Sequence, residues 1–399
     1  MREPYLKISS CSYCGDADVN HTLYYLEAMI SITLDKHAKK IVKNAPLFIK
    51  NLADWIPVFL FKILVFLKLA SFSSDIYKAN TFRSRIIWEE AQRRGIKMEQ
   101  LIILGKPLDY YRAKLNNNFN GKIIYFESIP ISPLVSDAEK NWDDKIVLKK
   151  EFLRKNIPVP FYFKFPFFYL QNIEKIFSKF EKPIMVKPQV GSRARHTTTN
   201  IHTLEQFKEA INLAKQICPY LVVEEHLPGD VCRATLVNGV LAGFQRASAA
   251  SIAGDGKKTI RQLIQEKNNK RPNRIEPVLI LKELLDHISR RGFSIDQILP
   301  NGILLLLSHR MGRLWGGETK EMIDDGLHPS FIPILETAAK ITGLAVLGFD
   351  CIVPDPTKDA SSQKWGIIEC NTLPFIDLHY YTLEGKPRNI AGMIWDLWK

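Results

Sequence analysis

The spacing of apolar residues changes along the chain, and the changes mark three regions. Residues 1–75 read as a helical N-terminal region. Its densest apolar run, Trp55 to Ala70, is interrupted by Lys62 and Lys68 and carries Pro57 near its start. A spanning helix needs about 20 mostly uncharged apolar residues, so this run is not expected to cross a membrane. A helix packed on its own protein is the first expectation, and an interfacial helix with snorkelling lysines the second. Residues 76–142 read as a small α/β domain. Thr81 to Arg94 has Ile86, Ile87 and Ala91 on one side and stops at Gly95. Leu101–Leu104 and Lys122–Phe126 are strand-length apolar runs, and Pro130 and Pro133 mark a linker.

From Asp143 the pattern alternates between helix and strand. Lys145–Lys155 is amphipathic, and Ile157–Pro160 is held extended by its prolines. Lys182–Pro188 is a strand that ends on a lysine. Thr203–Cys218 is a helix with Leu204, Phe207, Ala210, Ile211 and Ala214 on one face. Leu221–Glu224 is a strand. Val231–Val237 and Val240–Phe244 form a hairpin turning at Asn238-Gly239. Lys258–Asn268, Phe331–Thr342 and Ile390–Trp398 are helices. Ile303–Leu307 reads as a buried strand, and Val346–Val353 with Lys364–Cys370 as paired strands. The class is α/β (α+β), with lobes at about 143–229 and 230–399 in the last region.

Composition adds little to the fold and more to the partners. The 399 residues exceed one ordinary core. A formal charge of +13, from 55 Lys and Arg against 42 Asp and Glu, favours anionic partners. No basic region with interleaved aromatics makes nucleic acid the expected one. Six cysteines are scattered, no signal peptide opens the chain, and a reducing cytoplasm is the simplest setting. Cys11-Ser-Tyr-Cys14 has the spacing of half a zinc or redox site. With no second CxxC and no HxxxH, and only His21 as a nearby third ligand, two unrelated thiols are the favoured reading.

Two constellations carry chemistry. Asp350, with Glu369 and Asn371 in Ile367-Ile-Glu-Cys-Asn371, offers three oxygen ligands. Strand alternation points Glu369 and Asn371 the same way, and a neighbouring strand would bring Asp350 beside them. Oxygen donors suit Mg²⁺ carried by a nucleotide. Lys187 ends an apolar strand and precedes Gln189–Thr198, a loop with Gly191, Ser192, Arg193, Arg195 and His196 that suits phosphate, or else is a surface loop with exposed arginines, since Gly191 is its one glycine. Leu221–Gly229, with Glu224, Glu225 and Leu227, is by itself a strand and a turn; it resembles an interdomain hinge whose backbone can hydrogen-bond an adenine edge.

The order of these pieces resembles the ATP-grasp superfamily, from about Asp143 onward. Within it, the chain is similar to the ATP-grasp domain of cyanophycin synthetase and of the bifunctional glutathione synthetases. The resemblance rests also on Gly254-Asp-Gly-Lys-Lys-Thr-Ile260, on Gly316-Gly317 with Asp325 and His328-Pro329, and on Asn371-Thr-Leu-Pro374, His379 and Glu384-Gly-Lys-Pro-Arg388. It implies a two-lobed ATP-grasp fold and an ADP-forming carboxylate–amine ligase working through an acyl phosphate, on amino-acid or peptide-like substrates. The implied cofactors are ATP with Mg²⁺, or Mn²⁺. Lys149 and Lys187 would face the phosphates and the adenine side. Glu224 and the Leu227 backbone would hold adenine. Asp350, Glu369 and Asn371 would bind the metal. Arg246 and Arg233 would face the phosphates or acyl group.

The chain departs from the family pattern at three places. Arg193, Arg195 and His196 stand where the family loop has glycines. The ribose carboxylate aligns with Val231, with Asp230 beside it. The Asn-x-Ser before the double glycine is Gly312-Arg-Leu314, leaving Arg310 or Arg313 as substitutes. These departures motivate one rival, a nucleotide-binding protein without ligation. The Trp55–Ala70 run motivates another, a protein anchored at a membrane surface.

Overall fold

A computed structural model describes residues 11, 13–14, 19–43, 59–115, 121–132, 135, 140–167, 172–191, 195–272, 277–289, 291–308 and 317–398. Ser192, Arg193, Arg310 and Arg313, with Trp55, Pro57, Pro133 and Gly316, lie outside the described residues. The chain divides into two compact units. The first takes 1–70, 139–228 and 365–370, and the second 71–138, 229–364 and 371–399. The small α/β segment from Ser71 is thus part of the second unit.

The first unit opens with α1 (His21–Lys43) and a helical stretch, α2, at 59–66. No described helix is long and apolar enough to cross a membrane. Phe59, Leu60, Phe66, Leu67 and Leu69 are exposed.

Next in this unit come α4 (Lys145–Leu153), β5 (Tyr162–Pro166), α5 (Ile173–Ser178), β6 (Ile184–Pro188), β7 (Thr198–Ile201), α6 (Leu204–Ala214) and β8 (Tyr220–Glu225). The four strands form an antiparallel sheet in the order β5-β8-β6-β7. The apolar stripe of α6 starts from a capping box between Thr203 and Gln206. It packs with α5 onto Phe165, Ile184, Val186, Leu221 and Val223. Alternation sends the intervening residues of the same strands, Lys187 and Glu224 among them, to the other face.

The second unit holds two larger sheets. β1 (Ala70–Ser73), β2 (Lys97–Ile103), β3 (Lys106–Lys114) and β4 (Ile123–Glu127) lie in that order, with β2, β3 and β4 paired antiparallel. The β2–β3 turn is Leu104-Gly105 with φ +47° and +77°, a two-residue turn with both residues left-handed. α3 (Phe82–Arg93) starts at a Thr81 cap and packs with α10 (Ile390–Asp396), joined by Trp395 Nε1 donating to Ile87 O at 3.0 Å. Their apolar faces share one core with this sheet and with Val237 and Val346.

The second sheet contains β9 (Asp230–Val237), β10 (Val240–Ser248), β13 (Glu318–Glu321) and β14 (Val346–Val353) in the order β13-β10-β9-β14. Its hairpin turns at Asn238-Gly239, with φ +51° and +75°. α9 (Phe331–Thr342) ends at Gly343 in the left-handed region. A satellite core gathers α7 (Ile260–Lys270), α8 (Lys282–Ser289) and a two-stranded ribbon, β11 (Ser251–Ala253) with β12 (Leu304–Leu306). This corrects the expectation of a buried strand at Ile303–Leu307. A two-stranded ribbon has one packed face, so Leu305 and Leu307 are buried while Ile303, Leu304 and Leu306 are exposed. β15 (Gly366–Asn371) runs through the division, leaving Glu369 in the first unit and Asn371 in the second.

Candidate active site

In the first unit the polar centre is built on the face of the sheet opposite its apolar core. α4 begins at Asp144, whose Oδ1 accepts from the Ile146 amide at 2.8 Å. Lys145, Leu148, Lys149 and Phe152 then share its buried face, at the i, i+3, i+4, i+7 spacing of a helix stripe. Lys149 is fully buried, and its Nζ lies 2.9 Å from Glu224 Oε1 and donates to Ile368 O at 2.9 Å. Lys187 Nζ lies 2.8 Å from the same Oε1. Both contacts are ion pairs by distance, with angles short of hydrogen bonds, and Glu224 Oε2 has no hydrogen-bond partner among the described residues. Lys145 Nζ donates to Gly191 O at 2.9 Å and stands 3.7 Å from Glu369 Oε1.

Three lysines therefore meet two glutamates in one buried cluster. Burial pushes the Lys149 ammonium down to about 7, helped by Lys187 and Lys145 and opposed by Glu224. Burial pushes the Glu224 carboxyl the other way, but the two lysines outweigh it and hold it below its usual range. Glu224 is ionised, and Lys149 is poised between its charged and neutral forms near neutral pH.

Other residues singled out in this unit are engaged elsewhere. Glu225 Oε1 accepts from the Phe161 amide at 2.9 Å, fixing the β5–β8 edge. Leu227 is buried beside the turn. Arg195 and His196 turn inward: Arg195 Nε donates to Cys14 O at 3.0 Å and Nη1 to Tyr24 OH at 3.2 Å, and His196 is buried. Lys145 escaped the sequence reading. Its signal was its place one helical turn before Lys149 on the face that carries Leu148 and Phe152.

In the second unit Arg233 and Arg246 each meet an aspartate, Arg233 with Asp350 and Arg246 with Asp230. Arg233 and Asp350 are direct cross-strand partners on β9 and β14. Arg233 Nη2 donates to Asp350 Oδ2 at 3.1 Å, and Nε lies 2.6 Å from Oδ1. Asn371 Nδ2 donates to Asp350 Oδ2 at 3.3 Å. Arg233 Nη1 is buried with no hydrogen-bond partner among the described residues. A Cβ on Gly348 would meet it at 2.8 Å, so only glycine leaves room for the guanidinium. Arg246 Nε donates to Asp230 Oδ2 at 2.6 Å, so the carboxylate expected to substitute for the family's ribose ligand is paired with an arginine.

Several motif residues build the fold. Asp255 Oδ1 accepts from the amides of Lys257 and Lys258 at 2.9 and 2.8 Å, and Thr259 caps α7. His379 is buried between Glu321 Oε2, 2.6 Å from its Nδ1, and Thr235 Oγ1, 2.8 Å from its Nε2. Arg388 bonds both oxygens of Asp324.

The fold is α/β of the ATP-grasp kind. The solved structure of a bifunctional glutathione synthetase from Pasteurella multocida covers 80% of this chain and 44% of its own, with TM-score 0.58 and 22% identity. Among curated proteins, the chain is 30% identical over 224 residues to the cyanophycin synthetase of Synechocystis sp., covering 54% of this chain and 25% of that protein. It is 27% identical over 324 residues to the cyanophycin synthetase of Trichormus variabilis, covering 78% and 34%. It is 26% identical over 328 residues to the glutathione biosynthesis bifunctional protein of Mannheimia succiniciproducens, covering 76% and 41%. The chain thus spans between a quarter and two fifths of the length of these relatives. No protein-family model matches it.

Proposed function

We propose that the chain is an ATP-dependent carboxylate–amine ligase that works through an acyl phosphate. A substrate carboxylate oxygen attacks the γ-phosphorus of ATP, and the bond to the β-phosphate oxygen breaks to release ADP. The amine nitrogen then attacks the acyl carbon, inorganic phosphate leaves, and the amine proton is lost to solvent. The products are an amide or peptide bond, ADP and phosphate. The acceptors are amino acids or short peptides, by analogy with the ligase relatives.

The observation that carries this reading is the buried cluster of Lys145, Lys149 and Lys187 against Glu224 and Glu369. An interior with one cation more than its anions is costly unless a charge is lost or an anion arrives. A nucleotide phosphate supplies that anion. Lys149 and Lys187 would hold it, with Glu224 Oε2, which has no hydrogen-bond partner among the described residues, accepting from the exocyclic amine of adenine. Arg233 Nη1 and Arg246 would face charge building on the transferring phosphoryl group.

The residues also fit a hard cation. Asn371 Nδ2 donates to Asp350 Oδ2 at 3.3 Å, which sets the two side chains side by side, and Glu369 precedes Asn371 by two positions in the sequence. Oxygen-only donors suit Mg²⁺ or Mn²⁺. When bound, the cation would neutralise phosphate charge. Arg233 orients the Asp350 carboxylate for it.

The test is a screen for ADP and phosphate release over pairs of amino acids and short peptides, run beside Asp350→Asn and Glu369→Gln. The expected result is release that needs both a carboxylate and an amine and falls at least about a hundredfold in each variant. Equal rates in wild type and both variants would remove the metal assignment. ATP binding without release for any pair would favour the rival without ligation.

A further inference from the structure

The geometry points to a structural transition-metal site, of the zinc class, formed by Cys11, Cys14, His21 and His196. Their ligand atoms all lie within 4.8 Å of one another. Cys14 Sγ is 3.1 Å from His21 Nε2 and 3.5 Å from His196 Nε2, and Cys11 Sγ is 3.7 Å from His196 Nε2. A tetrahedral zinc with metal–sulfur bonds of about 2.3 Å and metal–nitrogen bonds of about 2.0–2.1 Å has sulfur–nitrogen edges of about 3.5 Å. The observed edges bracket that value.

The surroundings are built for ligation. His196 Nδ1 meets Leu213 O at 2.8 Å. The imidazole proton is donated there, and Nε2 keeps its lone pair facing both sulfurs, the orientation a metal-binding histidine takes from a carbonyl. The Cys14 amide donates to Cys11 O at 3.0 Å, which holds the two thiol-bearing residues together. The His196 amide donates to Tyr13 O at 3.0 Å, and Arg195 Nε donates to Cys14 O at 3.0 Å. These bonds lock the two segments in register. His196 takes φ +50°, a left-handed conformation that a non-glycine residue holds only where its surroundings demand it. The His21 ring stands edge-on to His196 at 4.8 Å, so both imidazoles converge without stacking. None of the six cysteines is in a disulfide. A two-sulfur, two-nitrogen set selects zinc over the oxygen-loving cations.

The first three ligands come from one short stretch and the fourth from the loop that follows Lys187 and Gly191. The metal would tie that stretch to the loop bordering the lysine cluster, and its binding is independent of the proposed ligase chemistry. The Cys11 and Cys14 thiols lose their protons on binding.

The experiment is metal analysis of the full chain, purified under reducing conditions on a resin that carries no metal. About one zinc per chain is expected. Cobalt exchanged into the wild-type chain should give a tetrahedral spectrum with a thiolate charge-transfer band. Cys11→Ser and His196→Gln should each weaken zinc binding at least about tenfold against a chromophoric chelator. Zinc should also protect Cys11 and Cys14 from alkylation. The wild-type cobalt spectrum keeps the test open if a variant fails to fold. The assignment is overturned by substoichiometric metal with no cobalt–thiolate band in excess cobalt, by a Cys11–Cys14 disulfide in the reduced preparation, or by folded variants that bind zinc as tightly as wild type.

Discussion

Two charge arrangements, one in each unit, are balanced in different ways. In the second unit, Arg233 is paired with Asp350 and the partly exposed Arg246 with Asp230. In the first, two ammonium groups share one oxygen of Glu224, with Lys145 close behind. A balanced pair serves orientation and costs little to keep. An unbalanced cluster carries a standing penalty, and such a penalty marks a place where an anionic ligand completes the charge count.

The largest effect should come from taking away the shared anion. Glu224→Ala leaves Lys149 and Lys187 buried without a counter-charge, and should cost about 3–5 kcal/mol in denaturant unfolding. Next is the balanced pair. Arg233→Ala leaves Asp350 partly buried with a poorer partner set, at a cost of about 1–3 kcal/mol. Lys149→Met should break the symmetry of these losses. It removes the surplus cation in favour of an apolar side chain of similar length, so stability should stay within about 1 kcal/mol of wild type while nucleotide affinity falls. A loss of several kcal/mol on Lys149→Met would mean that the first unit is balanced after all. Smallest is Arg246→Ala, whose ion pair is partly exposed, at under about 1 kcal/mol of stability.

The pH dependence sharpens the same contrast. Lys149 titrates near 7 in the folded chain against an ordinary 10.5. Between those values the unfolded chain holds a proton that the folded chain has lost. Stability contributed by this group therefore rises with pH from about 7 toward 10.5 and is lowest and flat below about 7. Unfolding of wild type and Lys149→Met compared across that window should isolate the slope, and an identical slope in both would remove the assignment.

Much of this was legible in the sequence, and the remainder has physical reasons for its absence. Phe331–Thr342 and Val346–Val353 fall where their periodicity puts them, because α9 has a clean amphipathic stripe and β14 is buried along its length. β3 went unread because Lys106–Lys114 is mostly polar, and its pairing rests on a turn rather than on an apolar run. Lys187 and Glu224 stood out as charges inside apolar strands. Lys145 did not, since a lysine on an amphipathic helix looks solvated until the helix finds its sheet. Cys11 and Cys14 were set aside for lack of ligands. The missing histidine lies 182 positions beyond Cys14, a distance that only the fold closes. Asp255 and His379, prominent in the motif pattern, hold a turn and a buried hydrogen-bond network instead.

The central claim is that the lysine cluster waits for a phosphate. Calorimetric titration of wild type with ATP and Mg²⁺ near pH 8, in buffers of different ionisation enthalpy, tests it most directly. The nucleotide should recharge Lys149, so binding should take up close to one proton, an uptake missing in Lys149→Met. Affinity should also weaken with rising pH above about 7, by up to about tenfold per unit. Binding with no proton uptake, or uptake undiminished in the variant, would contradict the account.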